Sequence, residues 1–173
     1  DDSYVEATEV ININILIHLN AQSQWKVYNE LGDVFHLSFI DEKGNLWIGM
    51  TVEGISGREF IHVGKGLAHL NSQDQLKVYT KENSDLPDNY ISQFLGDGQG
   101  GLWIVTREDY YNNSGTFSTG KGLAHLSGQG EWTVYTKEST ALLSDNITSI
   151  RNDGQGGLWI EANNVRERAH LTF

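Results

Sequence analysis

Short runs of alternating apolar and polar residues, separated by glycine, asparagine and aspartate, recur along most of the chain. Between residues 90 and 136 these runs are YISQFLG (90–96), GLWIVT (101–106), GLAHLS (122–127) and EWTVYT (131–136). Alternation with a period of two is typical of β-strands, and no stretch shows a 3.6-residue period over ten positions. The pattern predicts four strands, here called A, B, C and D, and almost no helix.

The same pattern occurs repeatedly at a constant spacing. DEKGNLWI (41–48), DGQGGLWI (97–104) and DGQGGLWI (153–160) place Trp47, Trp103 and Trp159 at intervals of 56 residues. Two further elements recur in the same order: LIHL (16–19), KGLAHL (65–70 and 121–126) and RAHL (168–171), then WKVY (25–28), LKVYTKE (76–82) and WTVYTKE (132–138). These segments are therefore copies of one unit.

A four-stranded antiparallel unit of this kind buries neither face when it stands alone. Radial stacking of such sheets, as in a β-propeller, hides both faces and leaves only short edges. A β-sandwich does not need near-identical copies, and a parallel β-helix repeats at about 20–30 residues per coil. The sequence therefore predicts an all-β fold built from propeller-type blades.

The predicted organisation has five parts. They are an acidic segment at 1–10, the C and D strands of a shared blade at 11–33, blades at 34–80 and 81–136, and the A, B and C strands of an incomplete blade at 137–173. This amounts to about three blades, whereas propellers close with about four to eight. Either the chain is a partial ring that additional blades in a longer protein complete, or two copies form a dimeric ring. We expect self-association, because a lone copy exposes sheet faces and strand edges.

Composition excludes several classes of protein. The chain has 12 Lys and Arg against 23 Asp and Glu, a net charge of −11, which argues against nucleic acid as a partner. It has no cysteine, so disulfides, thiolate metal sites and a cysteine nucleophile are excluded. The sequence contains no run of 18 apolar residues, so it predicts no membrane span. The acidic N-terminus DDSYVEATEV does not match a signal peptide.

Residues that repeat once per unit are predicted to be structural. Equivalent positions on successive blades lie at least about 10 Å apart, so the four repeated histidines cannot share one zinc ion. Each is expected to make a buried hydrogen bond within its own blade interface. These histidines are His18, His69, His125 and His170.

The repeated aspartates Asp41, Asp97 and Asp153 open the turn between strands A and B. One carboxylate per turn is too few for calcium, and no helix follows to make a phosphate loop, so each aspartate is expected to accept a backbone N–H within the turn. The repeated tryptophans are expected to pack one blade on the next. With no HExxH and no nucleophile elbow, the sequence predicts no metal, no cofactor and no catalytic residue.

The units differ most between strands B and C. His170 follows Trp159 by 11 positions, whereas in the two earlier units the histidine follows the tryptophan by 22. The extra residues are VEGISGREFIHVGK (52–65) and REDYYNNSGTFSTGK (107–121). We expect them to be long B–C loops on the same rim as the D–A loops NSDLPDN (83–89) and STALLSDN (139–146).

Aromatic and charged side chains on these B–C segments make a candidate recognition surface for a small molecule, a glycan or a protein. The candidate ligand-binding residues are Arg58, Phe60, His62, Arg107, Glu108, Asp109, Tyr110, Tyr111 and Phe117. Solvated loops without a ligand remain the alternative.

The pattern LPDNxI, DGxGGLWIxT and GLAHL, best developed at 86–106 and 122–126, resembles the two-component regulator propeller repeat. The resemblance implies a propeller like the extracytoplasmic sensor domains of hybrid histidine kinases, and hence a periplasmic or secreted location. The chain departs from the family in having no kinase or membrane segment and in its insertions after strand B.

Three functions follow from these observations. The first is a non-catalytic, sensor-like binding propeller that recognises a ligand with its B–C and D–A loops. The second is a structural propeller fragment that assembles with itself or with another protein. The third is an enzyme similar to the propeller lyases, for which no catalytic set of this sequence can be named.

Overall fold

The computed structural model describes residues 16–19, 23–28, 34–56, 59–112, 115–155 and 157–163. Over these ranges it contains twelve strands and no helix, and hence none long and apolar enough to cross a membrane. The strands are β1 (Leu16–Leu19), β2 (Trp25–Tyr28), β3 (Val34–Ile40), β4 (Leu46–Ser56), β5 (Glu59–Leu70), β6 (Leu76–Tyr79), β7 (Tyr90–Gly96), β8 (Leu102–Asn112), β9 (Gly115–Leu126), β10 (Trp132–Tyr135), β11 (Ile147–Asn152) and β12 (Leu158–Ala162). The predicted C strand that carries His170 lies outside the described residues.

Two complete four-stranded antiparallel sheets form the centre of the chain. The first blade has the order β3-β4-β5-β6 and the second β7-β8-β9-β10, each strand pairing with the next along the chain. β1 pairs with β2, and β11 pairs with β12, as two-stranded sheets. The predicted all-β fold of propeller-type blades is confirmed.

A β-bulge interrupts the pairing between the B and C strands of both blades at the sequence Gly-Lys-Gly. In the first blade Thr51 pairs with Gly64 and Met50 with Gly66, so Lys65 has no partner in the ladder. The second blade has the same irregularity around Lys121. Gly66 and Gly122 have φ of +97° and +87°, a backbone conformation that glycine adopts without strain.

The glycine that precedes each lysine lets the D–A connection approach the sheet. A Cβ atom on Gly64 would lie 2.3 Å from Cα of Tyr90, and one on Gly120 would lie 2.1 Å from the carbonyl oxygen of Asp145. The N–H of Gly66 donates to the carbonyl of Asn89 at 2.9 Å, with an equivalent bond in the second blade. The D–A connections are therefore held against the sheets and are not free loops.

The interface between the two complete blades forms the larger part of the core. β7 packs against β4 and β5, so strand A of one blade covers strands B and C of the blade before it. Trp47 is 4% exposed, its ring lies 6.3 Å from that of Tyr79, and Tyr79 contacts the edge of Trp132 at 5.6 Å. The predicted packing of one blade on the next by tryptophan is confirmed here.

The last described strands leave the equivalent packing incomplete. β11 packs on the second blade, and Trp103 and Tyr135 belong to a cluster with Leu158 and Ile160. Trp159, however, is 70% exposed. The predicted packing role is wrong for Trp159 within the described residues, because no described strand lies beside β12 on its open edge.

At the other end, β1 and β2 pack on the first blade through a small apolar cluster that includes Tyr28, Ile48 and Leu70. The hydroxyl of Tyr28 donates to Asp74 at 2.6 Å. Burial, and then this hydrogen bond, raise the pKa of Tyr28 to about 12. The bond ties β2 to the β5–β6 turn of the first blade.

Candidate functional site

The segments expected to be B–C loops are strands, and that expectation was wrong. β4 and β5 stay paired out to Ser56 and Glu59, and β8 and β9 out to Asn112 and Gly115. We call residues 52–64 arm one and residues 107–120 arm two. A two-stranded ribbon that does not bury one face against a sheet does not need the apolar alternation by which a strand is predicted.

The nine candidate residues have different places in these arms. Arg58 lies outside the described residues. Phe60, Tyr110 and Tyr111 lie on paired strands, opposite Ile55, Phe117 and Thr116. His62 and Phe117 are exposed, the latter at 39%.

A groove of about 470 Å³ lies between the two arms and the first D–A connection, and we call it the arm groove. Arm one contributes one wall, residues 80–90 contribute the second, and the base of arm two contributes the third. It brings together His62, Glu108 and Asp109 of the candidate set. Its lining residues are His62, Val63, Gly64, Lys65, Thr80, Lys81, Glu82, Asp88, Asn89, Tyr90, Glu108 and Asp109.

Arg107 stabilises the base of arm two. Its guanidinium lies over the ring of Tyr90, 4.2 Å from the centroid, and its Nε is 3.1 Å from a carboxylate oxygen of Asp109. Asp109 also accepts a hydrogen bond from Ser118 across the arm. The candidate residues Arg107 and Asp109 thus fix each other, and the guanidinium already has a partner.

Glu108 forms an ion pair at 2.5 Å with Lys121, the bulge residue of the neighbouring strand. The hydrogen bond and the charge of Lys121 hold the pKa of Glu108 below its ordinary value, and the charge of Lys81 adds to this effect. Lys81 belongs to the D–A connection and forms an ion pair with Asp88 at 3.4 Å. The electrostatic interaction of Lys81 with Glu108 therefore joins two walls of the groove.

Sequence reasoning missed the lysines and the D–A residues of the groove. Asn89 donates to the carboxylate of Glu82 and thereby lowers the pKa of Glu82, and its Oδ1 accepts the N–H of Lys81 at 2.8 Å. The repetition of Gly-Lys-Gly at 64–66 and 120–122 was a usable signal for Lys65 and Lys121, because glycines on both sides of a lysine are unusual within a strand.

The repeated Asp, Trp and His side chains lie in the blades and not in the groove. His125 stacks on Trp103 at 4.2 Å and lies 2.9 Å from Asp97, whereas His69 stacks on Trp47 at 3.8 Å. In the first blade Asp41 accepts the indole N–H of Trp47 instead, at 3.1 Å.

The expected hydrogen bond within the blade is confirmed for His125. It is wrong for His69, whose buried Nε2 has no partner among the described residues. His18 makes a hydrogen bond to Asp74 of the first blade, but the bond is exposed and the expected burial is wrong. Burial lowers the pKa of His69 below its ordinary value and thereby favours the neutral ring.

Hydrogen bonds set the ionisation of Asp97 in the A–B turn of the second blade. Burial alone would raise the pKa of Asp97, but hydrogen bonds from the N–H of Gln99, from His125 and from the N–H of Gly101 hold it below its ordinary value. The expected role of these aspartates in the turn is confirmed by such bonds at Asp41, Asp97 and Asp153. Across the part of the chain that the structure describes, no three His, Asp or Glu residues lie close enough to hold a metal ion.

A chain of four-stranded antiparallel units that repeat every 56 residues, with arms that extend from the B and C strands, defines a propeller-type repeat protein. The family model of the two component regulator propeller matches residues 85–108, from the first D–A connection to the base of arm two. The match confirms the resemblance found in the sequence. A comparison with curated proteins found no match.

Proposed function

We propose that this protein is a non-catalytic binding propeller whose ligand site is the arm groove. The observation that carries the proposal is the convergence of three separate segments, arm one, the first D–A connection and arm two, on one groove of about 470 Å³. This volume is in the range of small-molecule sites. The resemblance to sensor propellers supports a binding role and an extracytoplasmic location.

The groove has walls that suit recognition because their positions are fixed. Asn89 is bonded to the bulge glycine Gly66, and the base of arm two is held by the pair of Arg107 and Asp109. Donors and acceptors on such a preorganised frame bind a polar ligand without a large ordering cost. A sugar, an amino acid or the end of a peptide fits both the size and the polarity of the groove.

The test is a binding screen of glycans, amino acids and short peptides against the intact chain and two variants. The double variant His62→Ala with Lys81→Gln removes groove side chains from two walls. The matched control Lys137→Gln changes the residue equivalent to Lys81 on the second D–A connection, where Lys137 is exposed. We expect a ligand whose affinity falls in the double variant only. A ligand bound equally by all three proteins would place the site elsewhere.

We propose as a second candidate that two copies associate through their end strands. It is favoured by an apolar cavity of about 350 Å³ lined by Trp103, Leu123, Tyr135, Leu142 and residues of β12, and by the exposed Trp159 on the same strand. In the complete interface the equivalent space holds Trp132 against Tyr79. The strands β1 and β2 of a second copy carry the C and D sequences LIHL and WKVY and suit this position.

Light scattering tests this candidate on the intact chain. We expect a dimer, and we expect Trp159→Arg to dissociate it because a guanidinium then faces an apolar surface. A wild-type chain that is monomeric at all concentrations would contradict this candidate.

A further inference from the structure

The two Gly-Lys-Gly bulges present equivalent lysines in different electrostatic environments. Lys121 forms an ion pair with Glu108 on the neighbouring strand. The residue equivalent to Glu108, 56 positions earlier, is Val52. Among the described side chains, the ammonium group of Lys65 has no ion-pair partner, although it lies in the wall of the arm groove.

The remaining charges of the groove are already engaged. Lys81 is paired with Asp88, and Asp109 with Arg107. Glu82 accepts the side-chain amide of Asn89. Lys65 is thus the one cation of the described groove side chains that no carboxylate neutralises, in a chain whose net charge is −11.

A bulge turns its extra residue out of the regular alternation of the strand, and bulges are common beside binding sites for this reason. Gly64 and Gly66 fix the backbone on both sides of Lys65, because one contacts the D–A connection closely and the other has a left-handed conformation. The direction of Lys65 is therefore set by the fold.

We propose that Lys65 is the anion-recognition residue of the arm groove, and that the groove takes a small ligand carrying a carboxylate or phosphate group. This inference rests on the binding function proposed above and adds the chemical class of the ligand. A charge-assisted hydrogen bond from an ammonium group to such an oxyanion is about twice as strong as a bond between neutral groups. Away from Lys65 the excess negative charge of the chain disfavours anions, so the lysine determines which ligands enter.

The experiment is a titration of the isotopically labelled full chain at constant ionic strength, with the amide signals of Gly64 and Gly66 as the readout. The probes are sodium glucuronate, inorganic phosphate and, as the neutral analogue, glucose. The variants are Lys65→Gln, which removes the charge, and Val52→Glu, which recreates beside Lys65 the ion pair of the second blade. Lys137→Gln is the control for loss of one positive charge from the chain.

We expect saturable shifts with glucuronate or phosphate and none with glucose. Each groove variant should weaken binding about tenfold or more, because the charged hydrogen-bond donor is lost in Lys65→Gln and is taken up by the introduced carboxylate in Val52→Glu. The control should bind as the wild type does. A preference for glucuronate over phosphate would identify a sugar acid as the class of ligand, and the reverse would identify a phosphorylated compound.

Equal shifts in the wild type and in Lys65→Gln would overturn the inference, as would shifts that never saturate. If the groove instead binds a neutral ligand from the screen and Lys65→Gln leaves that affinity unchanged, the anion role of Lys65 fails while the binding function stands. Should Val52→Glu disturb the fold, Lys65→Gln alone decides the result.

Discussion

The imidazole Nε2 of His125 lies 2.9 Å from Oδ2 of Asp97, and the other oxygen of this carboxylate receives the N–H groups of Gln99 and Gly101 at 2.7 Å. One aspartate therefore links the A–B turn of the second blade to its C strand. Asp153 receives the equivalent two N–H groups of its own turn at 2.7 and 2.8 Å, and is exposed. The two turns have identical sequences, DGQGGLWI, and they make a matched pair for experiments.

Asp97→Ala should lower the free energy of unfolding by about 2–3 kcal/mol, because three hydrogen bonds of about 1 kcal/mol each are lost. Asp153→Ala should have a clearly smaller effect, since its turn lies at the exposed end of the described structure. Urea denaturation of both variants beside the wild type measures the difference. Equal losses would mean that the bond to His125 contributes nothing.

We expect His69 to make the free energy of unfolding decrease as the pH is lowered below about 6.5. Burial lowers the pKa of the folded-state imidazole, whereas the unfolded value is about 6.5. Below that pH the unfolded chain binds a proton that the folded chain does not, so the free energy of unfolding decreases as the pH falls towards the folded pKa.

His69→Phe should remove this dependence, because phenylalanine keeps the stacking on Trp47 and cannot be protonated. Denaturation curves at several pH values between 7.5 and 5.5 compare the variant with the wild type. A variant that loses stability over this range as steeply as the wild type would show that another group is responsible.

Much of the fold could be predicted because the repeat carries two independent signals, alternation and spacing. Trp47 and Trp103 lie on central strands whose two faces pack into different apolar clusters, and the 56-residue period gives their equivalence. The arms could not be predicted as strands, because the contacts that stabilise a ribbon such as 107–120, the ion pair of Arg107 with Asp109 along β8 and the hydrogen bond from Ser118 to Asp109 across the ribbon, are polar and leave no apolar alternation in the sequence.

The candidate site was predictable in its location and not in its chemistry. The sequence indicated a rim where segments 52–65 and 107–121 meet the D–A residues, and the structure brings His62, Glu108 and Asp109 to one groove there. Lys65 lacks the ion pair that Lys121 makes because the position equivalent to Glu108 is Val52. Which side chains become neighbours on paired strands depends on the register, and the bulge shifts the register. The spacing of residues in the sequence therefore does not predict the neighbour of Lys65.

Gly64→Ala and Gly120→Ala should each cost about 1–3 kcal/mol of stability. The added methyl group would lie 2.3 Å and 2.1 Å from the backbone of the D–A connections, which cannot move without breaking the bonds to Gly66 and Gly122. Thermal unfolding measures the loss.

The control for these variants is Gly44→Ala, at a residue with φ of +78° and open space around its Cβ position. Its cost should be about 1 kcal/mol and arise from the backbone alone. If Gly64→Ala also weakened ligand binding in proportion to its loss of stability, the D–A connection would act in recognition through its position. Unchanged stability in Gly64→Ala would contradict the close packing.

Trp47 and Trp159 hold the same position in the repeat, and their substitution should separate a covered blade from an open one. Trp47→Ala should cost about 3–5 kcal/mol, because a buried indole that is 4% exposed leaves a cavity between two blades. Trp159→Ala should cost less than about 1 kcal/mol at low protein concentration, since its side chain is 70% exposed. Urea denaturation at two protein concentrations tests both expectations. If copies associate through β12, the loss of stability in Trp159→Ala grows with protein concentration, whereas the loss in Trp47→Ala does not. A large loss of stability in Trp159→Ala that does not depend on concentration would show instead that its own chain covers Trp159.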